Sequence, residues 1–203
     1  GLNVLQFSIA PTAGELTGAG YDEGQVVAFA LPQAGFEVEM LLIEELDRLD
    51  PKALIGEVLR ARQGLGRRAG AAIHEFAVLL VDGLSGEEDR LVAQLSGALG
   101  AVPIVGGSAG DGGDFRRTEI CARGRVLGNA AILSLVRSSC AVQPFSLDHL
   151  QPTGRRMVVT GADPARRIVT RINDEPAAQE YARLLGLAPG QLSSFVFASH
   201  PVL

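Results

Sequence analysis

Lysine is almost missing from this sequence: Lys52 is the only one, and arginine supplies the rest of the 18 cationic residues. The bias follows genome composition as readily as function, but it removes one piece of chemistry. A phosphate-binding loop of the form G-x-x-x-x-G-K-[ST] needs a lysine beside its glycines, and none stands there. Cysteine is nearly as scarce. Cys121 and Cys140 can make at most one bridge, which is no disulfide scaffold and points to a reducing, cytoplasmic compartment. Positive charge is not in excess either: 18 Lys and Arg against 23 Asp and Glu leave −5. That balance offers no general attraction to nucleic acid or to anionic lipid. No apolar run approaches the roughly 20 residues that span a bilayer, and no charged stretch followed by a short apolar one marks a signal peptide. Nucleic acid and membrane are therefore not expected partners.

What is present is core-forming material. Of 203 residues, 47% are hydrophobic and 20% charged, enough to bury one large domain or two small ones. "LNVLQFSIA" (2–10) and "QVVAFAL" (25–31) read as strands, and "FEVEMLLI" (36–43) alternates before turning fully apolar, which makes it a third. Asp50-Pro51 is an N-cap followed by proline at the first helical position. The helix it opens is expected over 51–62, with Ala53, Leu54, Val58 and Leu59 on its inner side and a break at "QGLGRRAG". "FAVLLVDG" (76–83) is a buried strand. Ser85 and Glu88 then form S-x-x-E, a capping box, ahead of Leu91, Val92, Leu95 and Leu99, and Gly100 ends that helix. With "VPIV" next, 76–105 reads β-α-β.

Further on, "FRRTEICA" and "NAAILSLV" flank "RGRVLG" as a hairpin, and "RMVVTGA" and "RIVTRIN" flank "DPAR" in the same way. "EPAAQEYARLLG" is a short helix with Pro176 at its start and Gly186 as its stop. The chain ends in "SSFVFASHPVL", which reads as a core strand, so the sequence is expected to be a segment of a longer protein. The fold class is α/β: mixed, largely antiparallel sheets with helices on the outer faces. Two modules are expected, 1–137 and 138–203, because hairpins dominate after about residue 138.

The stretch "VPIVGGSAGDGGDF" (102–115) carries the first chemical question. Gly106-Gly107-Ser108-Ala109-Gly110 fits G-x-S-x-G, the nucleophile elbow of serine hydrolases, and Asp163 and His200 follow in the chain order Ser…Asp…His. An elbow also needs a helix directly behind the serine, and "DGGDF" cannot readily begin one. A dinucleotide fingerprint fails for the same reason. There remains a Gly-rich loop at the C-terminal end of a strand, a place that suits ligands in α/β folds, with Asp111 and Asp114 as its acidic residues. A plain structural turn is the other reading.

His74, His149, His200, Cys121 and Cys140 stand too far apart in sequence to form a zinc or iron-cluster motif. His149 is the notable one. It lies between Leu147 and Leu150, with Phe145 before it and Arg155 and Arg156 after it. One neutral imidazole for iron, apolar walls and cations for propionates are what a porphyrin requires. A core or surface-edge histidine with an ordinary hydrogen bond is the plainer alternative.

Several blocks, in order, resemble the FIST family of bacterial intracellular signal-transduction domains. They are "TAGEL" with "GY" and "GQVVAFAL", then "LLVDGLSGEEDRL" with "VPIVGGSAGDGGDF", then "GNAAILSLV". "PTGRRMVVTGADPARRIVTRINDEPAAQEYARLLG" is similar to the start of the companion C-terminal module, so the resemblance extends from about 12 to 186. It implies a non-enzymatic sensor of a small molecule or gas, working with a histidine kinase, cyclic-di-nucleotide enzyme or chemotaxis receptor, with oligomerisation left open. The run "DHLQPTGRRMVVTGADPARR" looks like the haem-containing, nitric-oxide-sensing subset. That likeness implies haem b, with His149 as iron ligand and Arg155 and Arg156 beside it. An amino acid is the other ligand the family resemblance implies. Its carboxylate would go to backbone N–H groups around 106–113, which include Gly106, Gly107 and Ser108, and its ammonium to Asp111 or Asp114.

Overall fold

The computed structural model describes residues 8–9, 15–18, 20–22, 31–110, 116–146, 151 and 153–202. Its contacts divide the chain into two compact units, Gly1–Phe145 and Ser146–Leu203. The early strands expected at 2–10 and 25–31 lie largely outside the described residues. What is described there is β1 (Ser8–Ile9), β2 (Glu15–Thr17) and β3 (Gly20–Asp22), the last two paired as an antiparallel hairpin.

The first unit is built on a four-stranded sheet of β4 (Phe36–Ile43), β5 (His74–Asp82), β6 (Ile104–Ala109) and β9 (Ala131–Ser138), in the order β4-β9-β5-β6. The β4–β9 and β9–β5 pairs are antiparallel and β5–β6 is parallel, so the sheet is mixed and mainly antiparallel as expected. Central placement of β9 follows from its side chains: Ala131, Leu133 and Leu135 are fully buried on one face, and Ile132 and Val136 on the other.

That placement corrects the hairpin expected between "FRRTEICA" and "NAAILSLV". The hairpin is shorter and lies wholly upstream, between β7 (Ile120–Ala122) and β8 (Arg125–Leu127). Arg123 (φ 52°) and Gly124 (φ 73°) are both left-handed, the two-residue turn whose twist suits a hairpin.

Helices α1 (Pro51–Arg68) and α2 (Glu88–Leu99) share one face of the sheet. Leu54, Val58 and Leu65 from α1 and Leu91, Leu95 and Leu99 from α2 pack on Leu41, Leu79, Val81, Leu133 and Leu135. Asp50 caps α1 as expected, accepting hydrogen bonds from the amides of Lys52 (2.9 Å) and Ala53 (3.4 Å). The break expected after residue 62 does not occur. Leu65 is fully buried, and its packing outweighs the roughly 1 kcal/mol that each of Gly64 and Gly66 costs a helix. Leu59, assigned to the inner side from the sequence, is half exposed, and so is Val92 of α2. Ser85 lies in the turn before α2. Its hydroxyl accepts from the amide of Glu87 (3.3 Å), and the helix opens at Glu88. The opposite face of the sheet, with Met40, Ala109, Ala130 and Ile132, is covered by Ile120 and Ala122 of the β7–β8 hairpin.

The second unit contains a three-stranded antiparallel sheet, β10 (Val159–Asp163), β11 (Ile168–Ile172) and β12 (Glu175–Pro176), with α3 (Ala177–Leu185) and α4 (Ser194–Ser199). The "DPAR" hairpin forms as expected. Asn173 and Asp174, both at positive φ, make the next turn, and Gly186 at φ 76° stops α3. The terminal "SSFVFAS", expected as a strand, is instead a short helix capped by the Ser193 hydroxyl. Phe197 of that helix stacks on Tyr181 at 5.1 Å, and the Tyr181 hydroxyl donates to the His200 carbonyl (2.7 Å).

Candidate functional site at the β5–β6 rim

The Gly-rich stretch is a strand for most of its described length. Gly106, Gly107 and Ser108 lie in β6, opposite Leu79, Leu80 and Val81 of β5, and all three are exposed. The sequence suggests a loop because glycine is a poor strand former. The strand forms because glycine lets two backbones close on each other. At Gly106 (φ 149°) a Cβ would stand 1.8 Å from the Leu79 carbonyl oxygen, and at Gly83 it would stand 2.3 Å from that of Ala109. Among the described residues β6 pairs with β5 alone.

The described geometry at Ser108 differs from that of a nucleophile elbow. Ser108 sits within a strand and not at a strand-to-helix turn, and the described residues between β6 and β7 contain no helix. Its supposed partners are engaged locally in the second unit. Asp163 accepts from the Arg166 amide (3.1 Å), and His200 Nδ1 lies 3.0 Å from the Ser199 hydroxyl.

At the C-terminal end of β5 the structure adds a residue that sequence reasoning passed over. Asp82 is 5% exposed. Its carboxylate accepts from the amides of Leu84 (3.0 Å) and Asn129 (2.5 Å) and from the Thr118 hydroxyl. Its own amide donates to the Ala130 carbonyl (3.0 Å). A carboxylate ending the apolar run "FAVLLVDG" was the available signal: a charge in that setting must find several donors. Asp82 stands opposite Ala109, so this hydrogen-bonded node and the exposed Gly106–Ser108 segment share the C-terminal rim of the parallel pair. In open α/β sheets that rim is where ligands bind.

The remaining sequence-derived residues divide in two. Asp111, Asp114 and His149 lie outside the described residues. Arg155 and Arg156 are both exposed, and the Arg155 guanidinium donates to the Leu184 carbonyl. The described residues hold no group of three or more His, Cys, Asp or Glu able to bind a metal ion. Cys121 and Cys140 are free thiols. In the first unit an apolar depression of about 240 Å³ lies between Phe76, Val105 and residues 142–145. That is below the roughly 300–1,000 Å³ typical of pockets for drug-sized ligands, and so is small for a porphyrin.

Three carboxyls elsewhere have lowered pKa values for structural reasons, Asp47 chiefly through its hydrogen bond from the Asn129 side chain. Burial pushes Glu75 upward, but the Arg62 guanidinium (2.7 and 3.0 Å) and Arg137 (3.3 Å) more than offset it, and the net shift is down. Glu180, hydrogen-bonded by Arg183 and Asn173, is lowered to about 2. The Glu75 pair ties β5 to α1, and Asn173 ties the Glu180 carboxylate of α3 to the β11–β12 turn. Among the described residues no helix is long and apolar enough to cross a membrane.

Comparison with known proteins adds the family. The model of the FIST N domain matches residues 9–175, a span that crosses the division between the two units. Neither the curated proteins nor the solved structures contain a match. With the family pattern running over most of its length, the chain belongs to the FIST N domain family, whose members are signal-transduction sensor domains.

Proposed function

We propose that this chain is the sensing part of a bacterial signal-transduction protein. In this reading it binds a small zwitterionic metabolite of the free amino-acid class at the β5–β6 rim and catalyses nothing. The observation that carries the reading is the exposed Gly106-Gly107-Ser108 segment on a strand that, among the described residues, is paired on one side only. Without side chains at 106 and 107 a ligand can approach the backbone closely, and a strand edge presents N–H donors suited to a carboxylate. The Ser108 hydroxyl adds a further donor, and Asp111 and Asp114 are the acidic residues the sequence offers to an ammonium group. Occupancy would shift the population of a state read by a partner such as a histidine kinase or a cyclic-di-nucleotide enzyme, in the cytoplasm.

The test is a thermal-shift screen of the 20 common L-amino acids, followed by calorimetric titration of any that stabilises the protein. A ligand at about 100 times its Kd contributes about 2.7 kcal/mol, a readily measured rise in Tm. Gly107→Val should abolish the response without lowering the unliganded Tm, because no atom lies within 4 Å of a Cβ placed there. An unchanged response in Gly107→Val would move the ligand away from this strand.

Haem b held by His149, with nitric oxide as the signal, is the competing proposal and rests on the sequence resemblance. Haemin titration of the wild type and His149→Ala decides it. A stoichiometric Soret band lost in the variant establishes haem, and no specific band ends that reading.

A further inference from the structure

Asp82 is a buried carboxylate that the sensing reading does not use, and its surroundings are unusual. Among the described residues its partners are neutral: two backbone amides and one hydroxyl. Burying a carboxylate without a cation is costly and persists only when several donors satisfy it. Hydrogen bonds to an ionised acceptor are roughly twice as strong as neutral ones, so the cost is offset by a stiff junction.

That junction gathers distant parts of the chain. Leu84 leads toward α2, Thr118 precedes β7 by two residues, and Asn129 precedes β9 by two. The separations from Asp82 are 2, 36 and 47 residues. The Leu84 amide also donates to the Thr118 hydroxyl oxygen (3.1 Å), which closes the group on itself. Next in sequence, Gly83 lies so close to Ala109 that a side chain would strike the Ala109 carbonyl. The Asp82-Gly83 pair therefore grips the end of β6 through backbone contact and Thr118 through its carboxylate.

Resting on the proposal that β6 is the ligand strand, we infer that Asp82 is the positioning residue of the sensing site. Anchored by Leu84, Thr118 and Asn129, it acts through Gly83 on Ala109, without touching the ligand, to hold the exposed Gly106–Ser108 backbone in binding geometry. Asp82→Asn keeps the shape and removes the charge. Thr118→Val removes the hydroxyl, and Thr118→Ser restores it.

Amide hydrogen exchange on the unliganded full chain reads the inference directly. In Asp82→Asn and Thr118→Val, amides of residues 105–109 should exchange about tenfold faster or more, the loss expected for a hydrogen bond to a charged group. Amides in the β4–β9 ladder should keep their rates, and Thr118→Ser should match the wild type throughout. Uniform acceleration over both regions, or none at 105–109, overturns the inference, because a merely structural group would loosen the whole unit together. The second readout is affinity for the amino acid that scores highest in the thermal-shift screen. Asp82→Asn should weaken it about tenfold at a temperature where the variant is fully folded, and an unchanged Kd also overturns the inference. If the wild type binds none of the 20, the sensing reading fails by that result alone, and the exchange experiment still decides whether Asp82 holds the strand.

Discussion

Substituting Gly106 by alanine tests the close approach of β5 and β6 that shapes the candidate site. The added Cβ would sit 1.8 Å from the Leu79 carbonyl oxygen, 2.7 Å from its carbon and 2.9 Å from the Leu79 nitrogen. These are backbone atoms of a strand held on its other side by β9, so no side-chain rotation relieves the clash. Reaching an ordinary contact of 3.4 Å requires the strands to separate by 3.4 − 1.8 = 1.6 Å, which breaks the parallel ladder over Ile104–Ala109. Holding a residue other than glycine at φ 149° costs about 1–3 kcal/mol, and forced overpacking costs a further 1–3 kcal/mol or so. The expected destabilisation is thus about 2–6 kcal/mol, against a total of roughly 5–15 kcal/mol for a natural domain. Urea unfolding followed by circular dichroism would show a lower midpoint. Gly107→Ala is the control: its Cβ meets nothing within 4 Å, and the change should stay within about 0.5 kcal/mol. Equal midpoints for the two variants, or greater damage at 107, would refute the reasoning.

Two further outcomes follow from the ion pairs. Glu180 is lowered from 4.5 to about 2 by Arg183 and Asn173, so the stability it confers is complete above about pH 4.5 and is lost as pH falls toward 2. Acid titration followed by tyrosine fluorescence, with Tyr181 next to Glu180 and no tryptophan in the chain, should show this loss in the wild type. Glu180→Gln should give a smaller loss across that window, the remainder coming from Glu75 and Asp47. Arg62→Ala removes both hydrogen bonds to Glu75, whose side chain is 10% exposed, and those to the Ala98 and Leu99 carbonyls that close α2. Loss of about 2–3 kcal/mol in urea unfolding is expected, with part of it recovered in the Arg62→Ala, Glu75→Gln double variant. No recovery would mean that the ion pair is not the source.

Much of the fold is legible in the amino-acid order. Asp50-Pro51 announces the start of α1, the alternation in "FEVEMLLI" sets β4 at Phe36–Ile43, and Gly100 and Gly186 stop the helices before them. Each of these signals works within a few residues, through a cap, a turn or a period, and needs nothing from the rest of the chain. The family, too, was written in the order and spacing of short blocks.

Tertiary structure decided the rest. Helix α1 runs on through Gly64 and Gly66 because Leu65 has a core to enter, which no local propensity records. β9 became the central strand, not half of a hairpin, because β4 and β5, 50 residues and more upstream, pair with it on both sides. Gly106 became strand because Leu79, 27 residues earlier, lies close enough to exclude a side chain. Asp82 could keep a buried charge because donors 36 and 47 residues away converge on it. In every such case the deciding free energy comes from a partner remote in sequence, and it exceeds the fraction of a kcal/mol that separates local conformational preferences.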